Sequence, residues 1–140
     1  MTPQQFIETQ EGFSAKPYKD SRGKLTIGYG FTSITRAEAE QILAGRISLI
    51  TNWLNQDLPL SSYSPARQTA LISMMYQLGP GFLMDWPNFH KAVLAEDWNR
   101  AADEMLYADP DAIPREVSQW HKQTPKRCEL EARMIRTGEF

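Results

Sequence analysis

The sequence predicts a mainly α fold of the α+β kind, with one small β-hairpin between its first two helices. Three observations predict it. Apolar residues recur at spacings of three and four along most of the chain. Most of these runs begin at a helix-starting Ser, Thr or Asp. Only the stretch from Lys16 to Gly30 breaks the pattern, with a turn cluster followed by a short run rich in β-formers.

Taken in order, Thr2-Pro3-Gln4-Gln5 supplies an N-cap, a proline at the first helical position and the Gln of a capping box. The helix it opens carries Phe6, Ile7 and Glu11, and Gly12 ends it. Tyr18 leads into the turn cluster Asp20-Ser21-Arg22-Gly23, and Leu25-Thr26-Ile27-Gly28-Tyr29-Gly30 returns as the second arm of a hairpin. Thr35-Arg36-Ala37-Glu38 is a second capping box, followed by Ile42, Leu43, Ile47, Ile50 and Leu54 at helical spacing. At 1.5 Å per residue, a helix of about twenty residues is long enough to bridge two lobes. Ser64-Pro65 starts another helix, apolar at Ala70, Leu71, Met74, Met75 and Leu78 and stopped by Gly79-Pro80-Gly81. Shorter helices are expected around Pro87–Leu94, Asp97–Tyr107 and Pro114–Trp120, and Thr124-Pro125 opens a last one that runs to Gly138.

Composition narrows the function classes. A chain of 140 residues, 41 % hydrophobic with four Trp and six Phe, has enough apolar surface for one domain with a real core. Trp86, Trp98 and Trp120 read most simply as core residues, with a place at the edge of a binding cleft as the other reading for one of them. Cys128 is the only cysteine, which rules out an internal disulfide, and His90 and His121 are too few for a histidine-rich metal centre. Asp109-Pro110-Asp111 lacks the Gly and terminal Glu of a calcium loop. Neither a metal nor a cofactor is expected. No apolar run approaches the roughly 18–20 residues of a membrane span, and the first residues do not form a signal peptide. The expectation is a soluble, cytoplasmically made protein with no stable membrane association. Residues 85–112 carry seven acids against two bases, and residues 113–140 carry six bases against four acids. No basic stripe with interleaved aromatics appears, so nucleic acid is not an expected partner.

Glu11, at the end of a helix, faces the negative pole of the helix dipole, which favours the protonated form that a general acid needs. Asp20 sits in a turn where backbone N–H groups and solvent support a carboxylate, and Thr26 adds a hydroxyl on the returning arm. From residue types alone, two solvated carboxylates beside a turn is the commoner arrangement.

The spacing is more specific. Within EGFSAKPYKDSRGKLTIGYG, eight residues separate Glu11 from Asp20 and five separate Asp20 from Thr26. This pattern resembles the phage-type lysozymes of glycoside hydrolase family 24. Met74-Met75-Tyr76-Gln77-Leu78-Gly79 is similar to that family's central buried helix, and Trp98-Asn99-Arg100-Ala101-Ala102 to a later one. Trp120-His121-Lys122-Gln123-Thr124-Pro125, Arg127 and Arg136-Thr137-Gly138 resemble its carboxyl end. The resemblance implies a lysozyme-like catalytic domain over residues 1–140. In it a small lobe (about 12–58) holds the hairpin, a long helix connects, and the first helix joins a helical lobe (about 59–140).

The resemblance further implies a muramidase that hydrolyses the β-1,4 bond between N-acetylmuramic acid and N-acetylglucosamine in peptidoglycan, with inversion. Glu11 would protonate the glycosidic oxygen, Asp20 would stabilise the oxocarbenium-like sugar or help activate water, and Thr26 would hold that water. Arg127 matches the arginine that pairs with the family's catalytic glutamate. Tyr76 matches an aromatic on the cleft wall, with a packed core tyrosine as the other reading. Gly28 and Gly30 are close-approach positions for substrate. Two features depart from the family. Phe31 replaces a histidine, with only Thr32-Ser33-Ile34 before the second capping box, and Phe89 and Glu104 occupy polar sugar-contacting positions. The implied setting is a monomeric endolysin of a phage or prophage, held in the host cytoplasm until a holin permeabilises the membrane. A lysozyme domain of a tail or antibacterial effector, and a peptidoglycan-binding module with an impaired site, are the alternatives.

Overall fold

The computed structural model describes residues 1–140 and is mainly helical, with eight α-helices, a single 3-10 turn and one two-stranded antiparallel sheet. In chain order these are α1 (Pro3–Glu11), β1 (Ser14–Lys19), β2 (Leu25–Gly28), α2 (Arg36–Asp57), α3 (Pro65–Leu78) and α4 (Phe82–Asp85). They continue with α5 (Pro87–Leu94), α6 (Trp98–Leu106), α7 (Gln119–Gln123) and α8 (Pro125–Thr137). No helix is long and apolar enough to cross a membrane.

The helix starts are made by the residues that signal them. In α1 the Gln5 N–H donates to Thr2 Oγ1 at 3.2 Å while the Thr2 N–H donates to Gln5 Oε1 at 2.8 Å. In α2 the same reciprocal pair forms between Thr35 and Glu38, both bonds at 3.2 Å. Each box satisfies N–H groups that the helix itself leaves unpaired, and losing such a cap costs about 0.5–2 kcal/mol.

The chain divides into two compact units, Met1–Ala44 and Gly45–Phe140, with the boundary inside α2 and α1 grouped with the hairpin. In the first unit Thr26 is the only buried residue, so local hydrogen bonds rather than an apolar core organise it. The second unit holds the core. Leu54, Leu71, Met74, Val93, Met105 and Ile135 have no exposed surface, drawn from α2, α3, α5, α6 and α8. Burying each such side chain contributes about 1.5–3 kcal/mol. Phe82, Trp86, Phe89 and Trp120 interlock at ring-centroid distances of 5.7–6.2 Å, mostly edge to face. Trp120 is buried, whereas Trp86 and Trp98 are half-buried at the margin of this core.

Two elements differ from the sequence expectation. A single helical turn, α4, follows directly on Gly79-Pro80-Gly81 and is too short to show a periodicity. The helix expected over Pro114–Trp120 instead forms over Gln119–Gln123. Residues before it pair back on the end of α6 and the segment just after it: the Ala108 N–H donates to Glu116 O and the Ser118 N–H to Leu106 O, both at 2.9 Å. Only after Ser118 is the chain free to turn, and its Oγ then caps α7 by accepting the His121 N–H at 3.1 Å.

Candidate active site

The hairpin is built around Asp20. Its Oδ1 accepts the N–H groups of Arg22 at 2.8 Å and Lys24 at 2.9 Å, and Gly23 (φ 76°) closes the turn with an N–H donated to Asp20 O at 3.0 Å. Asp20 therefore shapes the turn with one carboxyl oxygen and leaves Oδ2 out of it. Thr26 lies opposite Tyr18 in the register, and Asp20 is two residues beyond Tyr18. Alternation along paired strands puts Asp20 and Thr26 on one face of the hairpin. The Thr26 hydroxyl is buried and donates to Lys24 O at 3.1 Å, which spends its one proton. With that bond made, the Thr26 oxygen can still accept a hydrogen bond through its lone pairs.

Glu11 is the last residue of α1, where Gly12 (φ 68°) leaves the helix with its N–H on Glu8 O at 3.0 Å. Its carboxyl lies directly over Gly30. A β-carbon on Gly30 would come within 2.5 Å of Glu11 Oε2 and 3.0 Å of Cδ. Gly28 is tight for another reason: a β-carbon there would lie 2.7 Å from Cδ2 of Phe31. Ile27 and Phe31 exchange backbone hydrogen bonds at 2.9 Å each way, folding the Gly28-Tyr29-Gly30 corner back so that the Phe31 ring covers Gly28. The first unit thus brings Glu11 to Gly30, and Asp20 and Thr26 to one hairpin face.

Tyr76 and Arg127 belong to the second unit. Tyr76 is 48 % exposed on α3, on the surface rather than in the core. With Arg46, Trp53 and Met75 it lines a groove of about 380 Å³. Arg127, on α8, donates from Nε to Glu131 Oε1 at 2.9 Å and from Nη2 to Ser73 Oγ at 2.7 Å and Ser73 O at 3.0 Å. The sequence reading missed Glu131 and Ser73. The one available signal was an i, i+4 Arg–Glu pair on a helix face that otherwise turns inward.

A separate recess of about 260 Å³ is lined by Trp86, Asn88, Phe89, Glu104, Tyr107 and Trp120 among others. Phe89 is buried in the core, and Glu104 holds Arg100 at 2.7 Å. Both side chains are therefore committed elsewhere, and no sugar contact is assigned to them. No group of three or more His, Cys, Asp or Glu side chains is placed to hold a metal ion.

The family model described as phage lysozyme aligns with residues 8–133, a span that takes in Glu11, Asp20, Thr26, Gly28, Gly30, Tyr76 and Arg127.

Proposed function

The chain belongs to the phage lysozyme family, whose members hydrolyse peptidoglycan, and from that premise we propose that it is a muramidase. It cleaves the β-1,4 bond between N-acetylmuramic acid and N-acetylglucosamine with inversion, for host cell lysis by a phage or prophage. Glu11 is the general acid that gives its proton to the departing glycosidic oxygen. Water attacks the anomeric carbon from the opposite face of the sugar. One of its hydrogens is bonded to the Thr26 hydroxyl oxygen and the other passes to Asp20 Oδ2. Gly30 leaves room for the Glu11 carboxyl and Gly28 for the Phe31 ring, so the close approach at these glycines is made by the chain's own side chains rather than by substrate. Tyr76, exposed on α3, is assigned a glycan contact and Arg127 a supporting role. The observation that carries this reading is the division of labour around the hairpin. One carboxyl stands free over a glycine, while the other shares a face with a hydroxyl whose oxygen is left to accept a hydrogen bond.

Digestion of purified peptidoglycan, followed by borohydride reduction of the new ends, tests the bond. Reduced muramic acid is expected. Reduced glucosamine would move the cut to the other glycosidic bond. Glu11→Gln keeps shape but not the transferable proton, and activity should fall 10²- to 10⁴-fold. A folded wild-type protein that releases nothing would be a wall-binding module instead. The lysis role further implies monomeric enzyme in the host cytoplasm and release by a holin. Expression in a bacterial cytoplasm with and without a holin tests this, and lysis without the holin would overturn it. A tail or antibacterial effector is the other setting for the same chemistry.

A further inference from the structure

In the second unit, Arg46, Leu49, Ile50 and Trp53 follow one another along α2 at spacings of three and four, which puts them on one face. With Met75 and Tyr76 of α3 that face lines the groove of about 380 Å³, a volume within the range of small-molecule sites, about 300–1,000 Å³. The floor is apolar, since Ile50 and Met75 are buried members of the core. The walls are aromatic: Trp53 is half-buried against that core, and Tyr76 is exposed. The polar groups of the groove are unspent. Arg46 is exposed and makes no ion pair. The Trp53 Nε1–H has no acceptor in the protein yet is not a buried orphan, so it reaches solvent. Trp120, by contrast, gives its Nε1–H to Gln77 at 3.1 Å. No carboxylate lines the groove.

This composition selects a ligand. An aromatic face carries partial negative charge and attracts C–H groups laid across it. Arginine and indole N–H groups only donate, so the ligand must bring oxygen acceptors. A peptide brings as many N–H donors as carbonyls, and of these side chains only Tyr76 has an oxygen to accept them. A single exposed cation contributes little to holding a polyanion. An N-acetylated sugar meets both requirements, with an apolar C–H face on its ring and a carbonyl on its acetamido group. We infer that Arg46 and Trp53, together with Tyr76, form a subsite for one N-acetylated sugar of the glycan. Trp53 stacks on the ring, and Arg46 donates to the acetamido carbonyl. The identity of the ligand rests on the muramidase reading above. Such contacts hold the sugar equally before and during the reaction, so they act on KM and leave kcat alone.

Indole NMR reads the groove in the unmodified whole chain, titrated with a neutral β-1,4 tetramer of N-acetylglucosamine. The Trp53 N–H signal, identified by its loss in Trp53→Phe, should move and saturate. That of Trp120, already bonded to Gln77, should stay in place. In kinetics, Trp53→Leu should raise KM about three- to tenfold with kcat unchanged, and Trp53→Phe, which keeps a ring to stack, should recover most of the loss. Arg46→Ala should raise KM about two- to tenfold through the missing donor. Both effects should be equal on peptide-free glycan and on whole peptidoglycan. An effect confined to peptide-bearing wall would give the groove to the peptide stems, and self-association of wild type that Trp53→Leu abolishes would give it to a second copy. Either result overturns the sugar subsite. So does an unmoved Trp53 signal in a protein that hydrolyses peptidoglycan, or a loss of kcat that follows the melting temperature in both Trp53 variants. Absence of hydrolysis by wild type would sink the muramidase reading instead, and the indole titration would still decide whether the groove takes the sugar.

Discussion

Gly30 and Glu11 occupy each other's space: the glycine's missing β-carbon would sit 2.5 Å from Glu11 Oε2. The backbone at Gly30 also has φ 78°, a region that costs an L-residue about 1–2 kcal/mol. Gly30→Ala therefore adds a modest strain and a collision with a carboxyl that carries no hydrogen-bond anchor. The carboxyl is the softer partner and moves. We expect hydrolysis to fall by more than tenfold while the melting temperature drops only a few degrees. Gly79 provides the control, because its φ is 96° but a β-carbon there meets nothing within 4 Å. Gly79→Ala should show a similar stability loss with activity retained. Equal activity in the two variants would mean that Glu11 does not need its place over Gly30.

Arg67 secures the end of α8. It donates to Ile135 O at 2.9 Å and Arg136 O at 3.2 Å, and its guanidinium lies 4.2 Å from the centre of the Trp98 ring. These carbonyls belong to the last turn, which the helix cannot pair internally. Arg67→Ala should cost about 1–3 kcal/mol from the lost charged hydrogen bonds and the cation–π contact. Urea denaturation measures it directly. An unchanged midpoint would show that water replaces the guanidinium without penalty.

Much of this architecture is legible in the sequence because local chemistry decides it. The capping boxes at Thr2 and Thr35 and the turn at Asp20 are short-range hydrogen bonds between neighbours in the chain, so residue order predicts them. The helix expected at Pro114 fails for the opposite reason. Whether Ser118 extends or turns depends on α6, twelve residues earlier, which offers Leu106 O as a partner. The Arg127–Ser73–Glu131 ring is hidden in the same way, since Ser73 and Glu131 are 58 residues apart. Phe31 is an intermediate case. Its identity is plain in the sequence, but only the folded corner shows its ring lying over Gly28.

Cys128 makes stability depend on alkaline pH. The thiol is fully buried, and burial, followed by the nearby Glu131 and Glu129, pushes its pKa up to about 12 from an ordinary 9.0. The neutral thiol is thus the form the fold accepts. Its contribution is fully present below pH 9, where folded and unfolded thiols are both protonated. It is lost as pH rises toward 12, because the unfolded chain ionises first. Tyr63, also raised by burial, acts in the same direction. Comparing wild type with Cys128→Ala by denaturation at pH 8 and pH 10 isolates the thiol: wild type should lose more stability over that interval. Parallel curves would show that the thiolate is tolerated in place. Thiol reagents should correspondingly react with Cys128 at the rate of unfolding.

The final prediction is stereochemical. A retaining glycosidase needs a carboxylate that attacks the anomeric carbon itself, with the two carboxyls about 5–5.5 Å apart; an inverting one separates them by about 6.5–9.5 Å and fits a water between carboxylate and sugar. In this chain Asp20 Oδ1 is held by two backbone N–H groups at 2.8 and 2.9 Å, which fixes the carboxylate to its turn. The neighbouring Thr26 hydroxyl donates a hydrogen bond to Lys24 O, which leaves its oxygen as an acceptor for the site. A nucleophilic Asp20 would have no use for a second acceptor beside it. A water has two hydrogens to place, and Asp20 Oδ2 with Thr26 Oγ accepts both while its lone pair faces the sugar. The first product from a β-linked glycan should therefore be the α-anomer, read by NMR before mutarotation. Thr26→Ala removes one of the two acceptors and should slow turnover by roughly 10²-fold through misplacement of the water. Thr26→Ser, which keeps the oxygen, should retain much of the rate. A β-anomeric first product, or a fully active Thr26→Ala enzyme, would make Asp20 the nucleophile and leave the hydroxyl with its bond to Lys24 alone.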